Sequence, residues 1–395
     1  MRLKQKEPMQ HNDTTISKTK FIELVHSGDD YFTRLERIIL DSKYEIHIQT
    51  YIFEYDNIGK KIIEAIEEAA RRNVKIYILL DGFGSFSFPK HILHDLRQNG
   101  INIRFFAPLF SANSFYLGRR LHHKVVVADK KIALIGGINI ADKYLGNDIV
   151  PAWLDYAVQL QDEKIGASLA NLCWDIYYKK RRVNRKKIAS VVSYNGEVAV
   201  SVLQNDWLKR KNEILKAYIK SIGEAKKEIV IVGSYFLPGR KLVATLKKAS
   251  KNKVKIKLIL SGISDLPMAR RASCHLYSKL LRYNIELYEW KSSILHGKAA
   301  VVDNNWTTIG SFNLNNLSSF ASIEMNVGIN SAEFSNNYLT HLNQIMAQCQ
   351  RITPESLELS DGLFSRFINW VSYWITRTIE IIVTYLPHKR FKRLY

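Results

Sequence analysis

Cysteine is scarce in this chain. Its 395 residues include three, Cys173, Cys274 and Cys349, set far apart, with no CxxC pair and no histidine at ligand spacing. This excludes a disulfide framework, offers no zinc signature, and fits a reducing compartment. Long apolar runs are missing too: no charge-free stretch approaches the ~20 residues that cross a bilayer, and the first twenty residues are polar, without the apolar centre of a signal peptide. Any membrane contact is therefore expected to be peripheral. Acidic residues are also few, 37 against 58 lysines and arginines, so the formal charge is +21. Such a balance calls for an anionic partner, and charge alone leaves nucleic acid and an acidic lipid surface equally open. A hydrophobic content of 46% is ample for a folded core and rules out a disordered chain.

What the chain does have is an internal repeat. "RRNVKIYILLDG" at 71–82 returns as "KNKVKIKLILSG" at 251–262, each after a lysine-bearing helical stretch, and "YEIHIQTYIF" at 44–53 returns as "KEIVIVGSYF" at 227–236. Each half reads strand, helix, strand, which predicts βαβ units and a mainly parallel sheet. The most specific pair is "LHHKVVVADKKIALIGGIN" at 121–139 and "LHGKAAVVDNNWTTIGSFN" at 295–313. His122 matches His296, Lys124 matches Lys298, Asp129 matches Asp303, Gly136 matches Gly310 and Asn139 matches Asn313, all at one offset. One H-x-K-x-x-x-x-D is a weak signal; two inside longer repeats at the same register are not an accident of composition.

On a strand, residues two apart share a face, so each histidine projects with its lysine and away from its aspartate. Asp129 and Asp303 therefore complete the catalytic motif in a structural place, holding nearby backbone or polar groups. A short turn and a returning strand should follow. The small residues at its end, Gly136 and Gly137 or Gly310 and Ser311, would let an anion approach the backbone, with Asn139, Asn313 and Ser311 as phosphate-binding groups. Folding the halves about a pseudo-two-fold axis gathers two histidines, two lysines and two asparagines, a cluster that suits a tetrahedral phosphate. One imidazole can attack phosphorus while the other protonates the leaving oxygen, giving a phosphohistidine and a two-step reaction in which lysines stand where a metal might. No metal or cofactor is expected. Each imidazole also needs an orienting acceptor, and Asp155 in "PAWLDYAVQL" and Glu324 in "SSFASIEMNVGI" are lone carboxylates on apolar segments, each a similar distance beyond the histidine of its own half.

These residues resemble the signature of the phospholipase D superfamily, a duplicated H-x-K-x-x-x-x-D with trailing glycine, serine and asparagine. The chain looks like the bacterial cardiolipin synthases in the form without N-terminal transmembrane helices, from "SGDDYFTRLERII" to "ITPESL", through "TYIFEYDNIGKKI", "IGGINIADKY", "SYFLPGR" and "GSFNLNNLS". The resemblance implies an α/β fold of two pseudo-symmetric phospholipase D-like halves, each a mixed β-sheet flanked by helices, with the active site at their interface. It divides the chain into a polar tail 1–17, an N-terminal half 18–188, a C-terminal half 189–350 and a membrane-interfacial tail 351–395. It implies that a phosphatidyl group is taken from a phospholipid, phosphatidylglycerol or phosphatidylethanolamine, and passed to a hydroxyl of phosphatidylglycerol. It makes His122 the nucleophile and His296 the acid, with Asp155 and Glu324 orienting them. Two departures stand out: Leu154 occupies the place of a usual basic residue, and Asn315 that of a usual acidic one.

Residues 362–395 differ from the rest. Arg366, Arg377 and Glu380 fall on one helical face, Phe364, Phe367, Ile368, Trp374, Ile375 and Ile382 on most of the remainder, and "HKRFKR" follows Pro387. Aromatic residues beside a basic cluster suit an anionic bilayer surface; the alternative is a helix docked on the protein's own core. The basic run 177–187, "YYKKRRVNRKK", reads as a linker or helix end, and the loop "FSANSFYLGRR" before His122, with Phe110 and Phe115, has no counterpart in the second half. The expectation is a peripheral enzyme on the cytoplasmic face of the cell membrane with no nucleic-acid partner and an open oligomeric state. The rival readings are a hydrolytic phospholipase or another phosphodiesterase of the superfamily, including a nuclease, and an inactive membrane-binding scaffold.

Overall fold

The computed structural model describes residues 21–108, 110, 111, 114, 115, 119–178, 192–195, 198–206, 211–360, 362–385, 391 and 392. The polar tail 1–17, the basic run from 179 onward, the boundary at 188/189 and most of "HKRFKR" lie outside them.

The repeated segments fold as the βαβ units the periodicity predicts, but the sheets are not mainly parallel. Only the strands joined by crossover helices pair in parallel, and the motif hairpins and the strands beyond them make the remaining pairs along each sheet antiparallel. In the N-terminal half the strand Glu45–Thr50, the helix Asn57–Arg71 and the strand Lys75–Asp81 form a parallel βαβ unit. Asp56 caps the helix by accepting from the Gly59 N–H at 2.9 Å. Glu228–Gly233, Arg240–Lys251 and Lys255–Ser261 repeat the unit. Each motif segment is an antiparallel hairpin, Lys124–Ala128 with Ile132–Gly136 and Lys298–Val302 with Trp306–Gly310. Asp129 and Lys130, like Asp303 and Asn304, take up left-handed φ values of 51–55° and open the three-residue connection of each hairpin.

The two sheets share one strand order. In the first, Phe21–His26 is followed by Tyr156–Gln161, Ile132–Gly136, Lys124–Ala128, Glu45–Thr50, Lys75–Asp81 and Asn102–Phe106. In the second, Val198–Asp206 is followed by Ser322–Asn330, Trp306–Gly310, Lys298–Val302, Glu228–Gly233, Lys255–Ser261 and Glu286–Trp290. Gln350–Ile352 adds a further edge to the second sheet, beyond the boundary drawn at 350. Arg120–Leu121 from the N-terminal half pairs with Ser322–Ile323, so the halves interlock directly before His122.

The motif strands are buried on both faces, which explains their unbroken apolar runs. Val126 and Ala128 enter a core under the helices Asp29–Asp41 and Asn57–Arg71, whereas Val125 and Val127 enter a shared core with Val230, Val232, Ala299 and Val301 of the other half. That shared core also holds the helices Glu163–Tyr177 and Ala332–Ala347, and it fixes the two motif ends relative to each other.

Candidate active site

The histidines lie just ahead of their strands, which begin at Lys124 and Lys298. Backbone bonds between the halves hold them there. The carbonyl of Ile323 accepts from the N–H groups of His122 and His123, and the carbonyl of Leu154 accepts from those of His296 and Gly297, all at 2.8–3.0 Å. Ile323 and Leu154 are the residues before Glu324 and Asp155, so the same staple delivers each carboxylate to the opposite half's histidine. His122 Nδ1 lies 2.9 Å from Glu324 Oε2, and His296 Nδ1 lies 2.6 Å from Asp155 Oδ2. The pairing is crossed, contrary to the expectation of one carboxylate and one histidine per half. Leu154 acts here through its carbonyl, a service any residue could perform.

Lys124 and Lys298 each donate from Nζ to the carbonyl of the histidine two residues before. Both are almost fully buried, and burial, reinforced for Lys124 by the charge of Lys298, pushes Lys124 down to about 7 and Lys298 to about 8. His122 is lowered by burial against the pull of Glu324, and His296 well below its ordinary value by burial and by both lysines. Burial raises Asp155 to about 7, opposed chiefly by Lys298. The adjacent His123 is a decoy: it bonds Gln49 Oε1 at 2.9 Å in the interior, and burial drops it to about 3.

Strand alternation places Asp129 and Asp303 away from the histidines, as expected, while the side chains expected at an anion have protein partners. Asp129 and Asp303 sit at the far end of their strands from the histidines; each accepts three N–H groups, of Lys43, Tyr44 and Glu45 or of Lys226, Lys227 and Glu228, at 2.7–3.0 Å, so neither touches reacting atoms. The buried Ser311 hydroxyl, expected at the phosphate, donates to Glu324 at 2.6 Å. Asn139 lines the cavity but its amide is engaged at both ends, accepting from Ile52 N–H at 3.1 Å and donating to Tyr144 Oη at 2.7 Å. The small residues after the second strand make room for protein rather than for an anion, since a Cβ on Gly137 would meet Asp155 Oδ1 at 2.4 Å and one on Gly310 would meet Met325 O at 2.3 Å. Asn313 accepts from Ser234 through Oδ1 at 2.9 Å and also lines the cavity, and Asn315 caps the helix Asn316–Phe320 through Ser318 N–H at 2.9 Å.

Both histidines open onto one cavity of about 610 Å³. Several of its walls carried no distinguishing mark in the sequence. The Tyr51 ring packs edge-on against His122 at 4.9 Å with Lys124 Nζ 5.5 Å from its centre, and Tyr144 Oη lies 3.4 Å from His296 Nδ1. Phe83, Leu237 and Leu266 add apolar wall, while Arg120, Lys143 and Asp265 add charge. The C-terminal helix Leu363–Tyr385 closes one side with Thr376, Glu380 and Val383. It docks by its polar face: Arg377 donates to Pro238 O at 2.6 Å, and Glu380, bonded to Arg377 within the helix, accepts from Asn316 N–H at 3.3 Å, while Phe364, Phe367, Trp370, Trp374, Ile375 and Ile382 are exposed. Among the described residues no helix is long and apolar enough to cross a membrane.

Comparison with known proteins adds the context of this geometry. The family described as "Cardiolipin synthase, PLD-like domain" matches residues 35–168 and 218–346, one stretch in each half. Cardiolipin synthase B of Escherichia coli strain K12 is 32% identical over 352 residues, 85% of this chain and 83% of that protein. Cardiolipin synthase B of Salmonella typhi is 28% identical over 383 residues, 93% and 90% of the two chains. Among solved structures, phosphatidylserine synthase of Haemophilus influenzae Rd KW20 superposes with a TM-score of 0.72 at 16% identity, over 92% of this chain and 94% of that one, a likeness of fold.

Proposed function

The chain belongs to the cardiolipin synthase family of phospholipase D-like proteins and is a phosphatidyltransferase; from that premise we propose that it makes cardiolipin, passing a phosphatidyl group to phosphatidylglycerol through a phosphohistidine. The observation that carries this reading is the crossed site: two imidazoles from different halves, each on a carboxylate of the other half, face one cavity beside two buried lysines.

In the first step His122 Nε2 bonds phosphorus as the P–O bond to the head group breaks, and His296 gives its proton to the departing oxygen. In the second the acceptor hydroxyl bonds phosphorus, the N–P bond breaks, and the proton passes to His296. Two features support this division of roles. His122 is the more open side chain, 16% exposed against 7%. The partner of His296 is Asp155, a carboxyl that burial lifts to about 7, so that dyad retains a proton near neutrality. The phosphate itself restores the charge of the lysines, whose pKa values burial lowers in its absence.

The C-terminal helix, with its polar side against the protein and its aromatic side outward, supports peripheral attachment to an anionic membrane, with the cavity it walls at the lipid surface; the cytoplasmic face is the side we propose. The test is phosphatidylglycerol vesicles, alone and with phosphatidylethanolamine, with products read by mass spectrometry. Cardiolipin is expected, and the co-product, glycerol or ethanolamine, identifies the donor; phosphatidic acid as the sole product would make the enzyme a hydrolase. Replacing Trp370 and Trp374 by glutamate should abolish sedimentation with those vesicles, and unchanged sedimentation would remove the helix from the membrane contact.

A further inference from the structure

The short helices Asp142–Leu145 and Asn316–Phe320 follow the motif asparagines at equivalent places in the two halves, and both reach the cavity. At the repeat offset Lys143 faces Leu317 and Tyr144 faces Ser318, so the N-terminal wall carries a cation where the C-terminal wall is apolar. Lys124 and Lys298 are placed for the reacting phosphate. Arg120 is drawn aside to Ala107 O at 2.8 Å and Asp81 at 3.4 Å. Lys143 differs from these three. Its ammonium lies 5.3 Å from the centre of the Trp153 ring, and that ring lies 5.8 Å from the ring of His296. Lys143 is ion-paired with Glu54 at 2.7 Å, but both side chains of that pair are about a third exposed, unlike the buried Asp81 that holds Arg120, and the contact uses one of the three N–H groups of an ammonium. Its charge reaches far enough to help hold His296 low.

A hydrolase has no use for a third cation, because water brings no charge. Transfer to phosphatidylglycerol does, because the acceptor carries its own phosphodiester, one glycerol away from the hydroxyl that attacks. We propose that Lys143, backed by Trp153 and positioned by Glu54, binds the phosphodiester of the acceptor lipid, making the cavity a two-phosphate site that favours lipid transfer over hydrolysis. This rests on the transfer reading above. With that phosphate on Lys143, the far hydroxyl of the acceptor glycerol bonds phosphorus as the His122 N–P bond breaks and its proton goes to His296.

The test gives phosphatidylglycerol vesicles to the whole enzyme with one of two soluble acceptors, glycerophosphoglycerol, which carries the same phosphodiester, or deuterated glycerol, which carries none. The wild type is expected to prefer glycerophosphoglycerol by about tenfold or more in kcat/KM, the worth of one charge-assisted contact. Lys143→Gln should bring that preference to within about threefold, and Lys143→Arg should restore most of it. Equal use of the two acceptors by the wild type would overturn the subsite, as would a preference that survives Lys143→Gln. A parallel loss of both acceptors in Lys143→Gln and Lys143→Arg would also overturn it, by making Lys143 structural. Cardiolipin formed from the vesicles alone reports the underlying transfer reading separately, and the absence of any phosphatidyl transfer would overturn that reading itself.

Discussion

His122 and His296 stand at one register of a duplicated motif, yet their surroundings have diverged. Behind His122 is the longer carboxylate, Glu324, braced by the Ser311 hydroxyl at 2.6 Å; behind His296 is the shorter Asp155, braced by the Tyr156 N–H at 2.7 Å and given room by Gly137, the counterpart of Ser311. Tyr144 approaches His296, and Tyr51 packs on His122. Duplication supplies two equivalent imidazoles, whereas the reaction needs them in opposite protonation states. The divergence lies in the residues that touch the carboxylates, and in the proposed mechanism these divide the roles.

The strongest way to break this comparison is to remove each imidazole in turn. His122→Ala and His296→Ala should each lower cardiolipin formation by about 10⁴-fold or more, but with a phosphatidyl donor carrying an acidic leaving group His296→Ala should regain turnover and His122→Ala should not. Equal rescue would make the half-sites interchangeable. Next is the glycine–serine exchange. Gly137→Ser drives a Cβ into Asp155 and should cost about 10²-fold in kcat through misplacement of His296, while Ser311→Ala removes one bond to Glu324 and should cost about tenfold; a reversed order in steady-state assays would contradict the packing argument.

The pH profile of kcat/KM sharpens the comparison further. The acid limb should fall below the ordinary imidazole value of 6.5, because burial lowers His122. The alkaline limb should begin near 7–8, where free Lys124 and Lys298 lose their protons. The smallest effect is on stability. Asp155, raised from 3.8 to about 7, contributes stability below its ordinary value that is lost as pH rises to 7. Lys124 and Lys298, lowered from 10.5, bind fewer protons folded than unfolded, so they weaken the fold as pH falls from 10.5 through 8 and 7. The melting temperature of the apo-enzyme should therefore dip near neutrality, and Lys298→Met should flatten the alkaline side of the dip, because one of the two groups that release protons there on folding is gone. An alkaline rise unchanged in that variant would contradict the view that the lysines are held at the expense of stability.

The duplicated fold was legible because both halves keep the same spacing, so the equivalence of their elements followed from matching one to the other; the antiparallel majority of each sheet was not, because a buried strand reads as an apolar run whichever way its neighbour runs. Asp129 and Asp303 were readable as structural because strand alternation turns them away from the histidines. The crossing of the carboxylates was not legible, since each lies far nearer in the chain to the histidine of its own half, while 141 and 202 residues separate the pairs that bond, and only the staples at Leu154 and Ile323 settle the partners. The protein partners of Asn139 and Ser311 were not legible for a related reason: an amide or hydroxyl at the end of a strand serves an anion or a neighbouring side chain equally well, and packing decides. In the C-terminal helix the two faces were visible, but not that the polar one turns inward, because a helical pattern carries no direction without the surface it meets.

The most direct test of the crossed site is to find the phosphorylated residue. The His296→Ala variant, given the donor with an acidic leaving group and no acceptor, would be quenched in alkali and its peptides mapped by mass spectrometry. The account predicts a phosphatidyl group on His122 and none in His296→Ala/Glu324→Gln, where the nucleophile has lost its orienting carboxylate. A label on another residue, or one unaffected by Glu324→Gln, would contradict it.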